Sequence, residues 1–362
     1  MLRGYFQSVV RVGLDLTPLL GPPTGIHHHT RALLDELVTR NDIDVQGWLL
    51  TGRGRATGLD VPVWRFRVPA GLAQQTWRFG GFPGRRLVAG NVDVVHGINF
   101  LAPPRAGTVV TIHDTTPLAG ADLTQPAIAA KAGAIRRLLR SSALIHVPAQ
   151  GIADELIADH GAEADRVVVV PHGMRPAPTV VPHEGIPSYE RYLITVGRTE
   201  RRKRVPTIVE MLDDLPDDVA LVIAGPIGND ENRLASAVRK LDDPNRVVRV
   251  TAASNATRDS LIAGSAGLVL ASEYEGFGFA PLEAIQLNVP VAATAVGALP
   301  DLIGDGFDLV APGSSDLGAA LAAATRRALN SAVPQTVRQR VAALRWADTA
   351  EAMVDLYHRA RS

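Results

Sequence analysis

At 362 residues, with 46% hydrophobic and 20% charged side chains, the chain is too long for one ordinary domain and suits two of about 170 residues each. Its formal net charge is zero, which argues against nucleic-acid binding as a main role, and it has no cysteine, which excludes disulfides, thiolate metal sites and cysteine nucleophiles. No uncharged apolar run approaches the ~18 residues of a membrane span, and the first apolar stretch, Val9 to Leu20, is broken by Arg11 and Asp15, so the expectation is a cytoplasmic protein without a signal peptide.

Residues 1–8 carry no pattern. After them, short β-branched runs alternate with longer amphipathic or Ala/Leu-rich segments, the signature of βαβ units and a parallel sheet. The predicted strands are Val9–Leu16, Val45–Leu50, Val61–Val68, Val92–His96, Val109–His113, Ala143–Val147 and Val167–Val170, with helices over Gly25–Thr39, Ala127–Leu139 and Ile152–His160. The stretch His172–Ser188 holds Pro176, Pro178, Pro182 and Pro187 and little periodicity, which predicts a linker. A second series follows at Tyr192–Val196, Val219–Ala224, Val247–Thr251, Leu268–Ala271, Val289–Thr294 and Asp308–Ala311. A last helix, about Trp346 to Arg359, repeats Trp346, Ala350, Met353 and Leu356 at helical spacing. The expected organisation is an N-terminal domain over 9–172, a linker over 173–190, a C-terminal domain over 191–343, and a helix over 344–362 packing back towards the first domain. Two doubly wound parallel sheets facing a cleft bind ligands beyond their strand ends.

Charge is uneven: residues 1–180 carry a net +4 and the remainder −4. Arginine outnumbers lysine 34 to 3, the lysines being Lys131, Lys203 and Lys240. A basic stretch with Arg65, Arg67, Arg78, Arg85 and Arg86 flanks Trp64, Trp77, Phe79 and Phe82. It reads either as a solvated loop or as a face for an anionic acceptor or an anionic membrane surface.

The segment Glu275-Gly-Phe-Gly-Phe-Ala-Pro-Leu-Glu283 follows a buried-looking strand and runs into a helix with Pro281 in its first turn. Gly276 and Gly278 let the backbone approach a ligand, and the amides of Phe279 and Ala280 at a helix N-terminus suit a diphosphate. Glu283 is placed to accept hydrogen bonds from ribose hydroxyls, and Glu275, in the loop before, to reach a sugar. Two glutamates eight apart carry little by themselves; the glycines and the strand–loop–helix setting carry the reading.

Here the chain resembles the family-4 glycosyltransferases of GT-B fold, whose signature is a Glu-x7-Glu motif of the form EGFGxxxLE, and the resemblance covers nearly all of the chain after residue 10. Gly197-Arg198-Thr-Glu-Arg-Arg-Lys203 looks like the family's VGR-x4-K segment, in which arginine and lysine hold the donor's diphosphate. Two cations at a strand end stabilise a leaving diphosphate without a metal. His113-Asp114-Thr-Thr-Pro117 is similar to the family's HD-x-x-P segment, whose histidine contacts the transferred sugar; Asp114 reads either as a site residue or as a turn cap. Gly13-Leu-Asp15 and Pro22-Pro-Thr-Gly25-Ile-His-His-His29-Thr resemble the first strand and the glycine loop over diphosphate and acceptor, with His27 as the histidine facing the acceptor. Val94-Val-His-Gly-Ile-Asn99 resembles a cleft-lining segment and reads equally as a strand end. Arg249–Asn255 should lie where the family reads the nucleobase.

The resemblance implies retaining transfer from a nucleotide sugar to a glycan, lipid-linked or small-molecule hydroxyl, with GDP-mannose the favoured donor and no metal or other cofactor. His27, His28 and His29 cannot jointly ligate one ion, because successive helical residues point about 100° apart. The alternatives are a nucleotide-sugar epimerase of the same fold and a non-catalytic nucleotide-sugar-binding subunit.

Overall fold

The computed structural model describes residues 9–21, 24–51, 54, 57–80, 82–100, 102–120, 123, 126–178, 180 and 191–361. Among the described residues, twelve strands divide between two compact units. The first comprises residues up to Leu118, Ala130–Gly173 and Arg345 onward; the second comprises Ala119–Ala129 and Met174–Leu344. Most of the segment read as a linker, with Pro22, Pro23 and residues 1–8, lies outside the described residues.

In the first unit the strands are β1 (Val10–Asp15), β2 (Ile43–Leu50), β3 (Val63–Phe66), β4 (Val94–Gly97), β5 (Thr108–Thr111), β6 (Leu144–Val147) and β7 (Val167–Val169). They form one parallel sheet in the order β3-β2-β1-β4-β5-β6-β7. β4 and β5 are buried at every residue, the pattern of parallel strands covered on both faces. The Gly25–Leu37 helix begins on a Thr24 cap, whose hydroxyl accepts from the His27 amide at 3.3 Å. It packs against the C-terminal helix, Trp346–Arg361, which also covers β1, β4 and β5 and drives Met353, Leu356 and Tyr357 into the core.

In the second unit, β8 (Arg191–Val196), β9 (Val219–Ala224), β10 (Val247–Val250), β11 (Gly267–Leu270) and β12 (Val291–Ala293) make a parallel sheet in the order β10-β9-β8-β11-β12. The strand expected at Asp308–Ala311 is reduced to a single bridge, Thr294 to Val310. The helix expected over Ala127–Leu139 is two pieces, Pro126–Ala129 and Ala132–Leu139. The order of each sheet reverses once, between β1 and β4 and between β8 and β11, and a doubly wound sheet opens a ligand crevice at that point, beyond the strands' carboxyl ends.

Candidate functional site

At the β8/β11 reversal the second unit gathers Gly197, Lys203 and Glu275. Gly197 leaves β8 at φ 131°, a conformation that favours glycine. A Cβ there would lie 3.4 Å from Cε and Nζ of Lys203, so the lysine tail crosses the glycine. The chain then makes a 3-10 turn over Arg201–Lys203 and passes through Arg204 at φ 46° into the next helix. From the other side of the reversal, β11 ends at Leu270 and Ser272 and Glu275 follow. The Glu275 carboxylate takes a short ion pair from Lys203, a hydrogen bond from Ser272 Oγ at 2.7 Å and the Arg202 guanidinium at 3.4 Å. Burial pushes its pKa up, but Lys203 and Arg202, with the bonds from Lys203 and Ser272, outweigh that and bring it down to about 2. Glu275 is therefore an anion at any working pH and fixes the lysine beside the strand end.

Gly278, at φ 81°, caps the Phe279–Gln286 helix, so Phe279 and Ala280 are its first two residues. Amides in a helix's first turn have no intrahelical acceptor. Gly297, at φ 58°, holds this loop from behind: a Cβ on it would strike Gly276 O and lie 2.8 Å from Glu275 O. Arg198 is exposed and donates to Ile227 O at 2.7 Å.

Glu283 is the fifth residue of that helix, a full turn in. Its Oε1 accepts from Arg175 Nε at 3.0 Å and Arg258 Nη2 at 3.1 Å. Arg175 also clasps Asp259 in a two-pronged pair at 2.5 and 2.8 Å. Hydrogen bonding to Asp259 leads the causes that raise the Arg175 pKa, and the same pair overcomes burial to lower that of Asp259. Arg175, Arg258 and Asp259 were missed in the sequence because they lie far from the motif, and Arg175 sits in the proline-rich stretch read as a linker. In the segment expected at the base, Arg249 donates to Glu231 at 2.9 Å, and Glu231 also accepts from Thr199.

In the first unit, Asp15 ends β1 fully buried, its Oδ1 accepting from the Thr17 amide at 2.9 Å. Burial, opposed by the Thr17 bonds, pushes its pKa up to about 6. Lys131 donates to Asn99 Oδ1 at 3.2 Å and lies over the Phe100 ring at 5.3 Å. Burial lowers its pKa to about 8, against the pull of Asp114 and Asp15. The sequence singled out Lys131 only as a rare lysine. Asp114 accepts from the Thr116 amide at 3.0 Å, a turn-capping bond. Gly25 is the first helical residue, with nothing within 4 Å of a Cβ placed on it. His27 is half-buried beside His28. His113 stands apart: Nε2 lies 2.8 Å from Ile98 O and Nδ1 3.2 Å from His172 Nε2, so both ring nitrogens are engaged within the unit.

Two parallel doubly wound units in tandem, with opposed charges and a glycine-led helix at a strand reversal, are the architecture of the GT-B class. Residues 24–173 match the family model described as a glycosyl transferase 4-like domain, and residues 178–342 the one described as glycosyl transferases group 1; the chain belongs to this glycosyltransferase family. Among curated relatives, a D-inositol 3-phosphate glycosyltransferase of Mycolicibacterium smegmatis is 28% identical over 58% of this chain and 51% of its own. One from Kineococcus radiotolerans is 30% identical over 57% and 54%. The chain thus spans about half the length of the curated relatives it matches. Among solved structures, sucrose-phosphate synthase from Thermosynechococcus elongatus superposes with a TM-score of 0.73 at 18% identity, covering 97% of this chain and 98% of that one. Anabaena HepE in complex with UDP and glucose does so with a TM-score of 0.66 at 16% identity, covering 97% and 100%. At those identities the likeness is one of fold.

Proposed function

We propose that the protein transfers a sugar from a nucleotide-diphosphate sugar to an acceptor hydroxyl, with retention of the anomeric configuration and without a metal on the diphosphate. The observation that carries this reading is the Lys203–Glu275 pair at the β8/β11 reversal, flanked by the Gly278-capped helix. A lysine ammonium has three donors; Glu275 holds one and thereby aims the others. Lys203, the exposed Arg198 and the amides of Phe279 and Ala280 then meet the charge that develops as the bond from the sugar's anomeric carbon to the phosphate oxygen breaks. The electron pair leaves with the phosphate. The acceptor oxygen bonds to the anomeric carbon on the same face, and its proton goes to the departing phosphate oxygen, so no protein base is needed. Glu283, whose hydrogen bonds among the described residues fall on Oε1, offers Oε2 to the ribose hydroxyls.

In the first unit we assign acceptor recognition to Asn99, Asp114 and His27, add Lys131, and assign Gly25 to donor binding. A largely buried lysine whose pKa of about 8 keeps it mostly protonated at neutral pH suits an anionic acceptor, which agrees with the inositol phosphate in the relatives' name. His113 serves by shaping the end of β5, since its ring nitrogens are engaged. Phe79, Phe82, Leu72 and Leu87 are exposed, while Trp77 is core. Arg78, Arg105, Arg136, Arg137 and Arg140 line a nearby recess. This face suits peripheral contact with anionic lipid, and co-sedimentation with anionic but not neutral vesicles is the expected result.

GDP-mannose is the donor favoured by the Thr24–Gly25 loop resemblance, and a UDP-sugar is its rival. Calorimetric titration of GDP, UDP and ADP in EDTA, then with magnesium, tests the reading. Tight metal-free binding of one nucleotide supports the site and names the donor class; no binding of any would put the non-catalytic reading ahead.

A further inference from the structure

The first unit buries a histidine cluster that transfer chemistry does not use. His29 lies on the Gly25–Leu37 helix, His113 just beyond β5 and His172 just beyond β7, at 1%, 8% and 1% exposure. One ring nitrogen from each lies within 4.8 Å of the others. We propose that His29, His113 and His172 together bind one divalent transition-metal ion, with zinc the expected occupant.

The proton positions point the same way. Ile98 O can only accept, so His113 Nε2 donates to it at 2.8 Å. In a neutral ring Nδ1 then carries a lone pair, and it faces His172 Nε2 at 3.2 Å. Two ligands at a tetrahedral zinc, each about 2.0–2.1 Å from the metal, stand about 3.3–3.4 Å apart. His113 and His172 therefore already sit at the spacing of neighbouring ligands. His29 supplies the independent sign: among the described residues neither of its ring nitrogens has a hydrogen-bond partner, although the residue is fully buried. A buried imidazole left so is costly, and a bound cation satisfies its lone pair.

The neighbouring histidines are already spoken for. His96 bonds Tyr357 and Thr111, and His146 bonds Thr111 and Val170 O. Burial keeps the rings of the trio neutral, the form that ligates. Three imidazoles and no carboxylate suit zinc, copper or nickel over magnesium or calcium. The ion would tie the first helix to the ends of β5 and β7, with all three ligands drawn from the first unit, so this inference does not rest on the proposed transfer. His27, half-buried, and His28, exposed, take no part in the trio; of the three consecutive histidines only His29 is fully buried, and the other two ligands come from elsewhere in the chain.

The test uses the full, untagged chain. Protein equilibrated with zinc and passed through a desalting column should retain one zinc per chain by elemental analysis. Cobalt in its place should give the intense visible bands of a tetrahedral site. His29→Gln and His172→Asn should each weaken metal binding at least tenfold, whereas His27→Ala/His28→Ala should keep full stoichiometry. If a cluster variant does not fold, the cobalt spectrum and the zinc-induced rise in Tm of the wild-type protein decide. No retained zinc, an octahedral cobalt spectrum, or zinc lost with His27 and His28 but not with His29 and His172 would overturn the proposal.

Discussion

Glu283 and Lys203 each stand in an ion pair with other side chains, yet their substitution should be read out differently. Replacing Glu283 with alanine would strand the guanidiniums of Arg175 and Arg258, mixing a fold effect with a binding effect. Glu283→Gln keeps the shape and removes the charge on Oε2. It should weaken nucleotide binding by about 1–3 kcal/mol, roughly 5–150-fold, with Tm moved by a few degrees at most; unchanged affinity in titration calorimetry would remove the ribose role. Lys203→Ala leaves Glu275 with Ser272 and Arg202, so the fold survives. Turnover should fall on the order of 100-fold or more, and a variant with full kcat would exclude Lys203 from stabilising the leaving group. Both residues were legible in the sequence because each stands within one short motif on a single strand–loop–helix passage. Arg175, Arg258 and Asp259 were not, since 84 positions separate Arg175 from Asp259 and no local pattern announces a pair made across that distance. The same holds for His29, His113 and His172, contributed by three different elements.

At the scale of elements, the strands were readable wherever an apolar run is covered on both faces, as in β4, β5, β9 and β11. The Asp308–Ala311 run failed because only Val310 packs inward, while Asp308 is exposed and pairs with Arg327 at 2.5 Å. The Ala127–Leu139 helix divides next to Lys131, whose side chain turns to Asn99 and Phe100. The loop carrying Glu275 depends on an element that no motif marks, the turn at Gly297. A methyl group there meets Gly276 O and needs a left-handed backbone as well. Gly297→Ala should therefore lower Tm and cut nucleotide affinity together. Normal affinity with a lowered Tm would show that the loop holds its shape without that support.

For the molecule as a whole, the first unit is the acid-sensitive one. Burial, partly offset by bonds to backbone carbonyls, lowers the pKa values of His113 and His146 to about 4. The ordinary histidine value is 6.5. Between the two values the unfolded chain binds protons that the folded unit refuses. Stability is therefore complete above about pH 6.5 and is lost as the pH falls towards 4, at about 1.4 kcal/mol per pH unit for each such ring. Urea midpoints measured in EDTA should drop steadily between pH 7 and 4.5, and midpoints flat across that range would mean the rings protonate without unfolding.

The C-terminal helix has a consequence for how the chain is made. Four of its large side chains, Met353, Val354, Leu356 and Tyr357, are buried in the first unit, a contribution on the order of 10 kcal/mol, comparable with the whole stability of a domain. Those residues leave the ribosome only after the whole second unit, which ends at Leu344. The second unit, emerging in between, can close on its own residues while the first waits, its β1, β4 and β5 face uncovered. Synthesis order and folding order are thus inverted for the N-terminal half. A nascent chain stalled before Trp346 would expose an apolar sheet, a natural chaperone substrate, until the Trp346–Arg361 helix arrives.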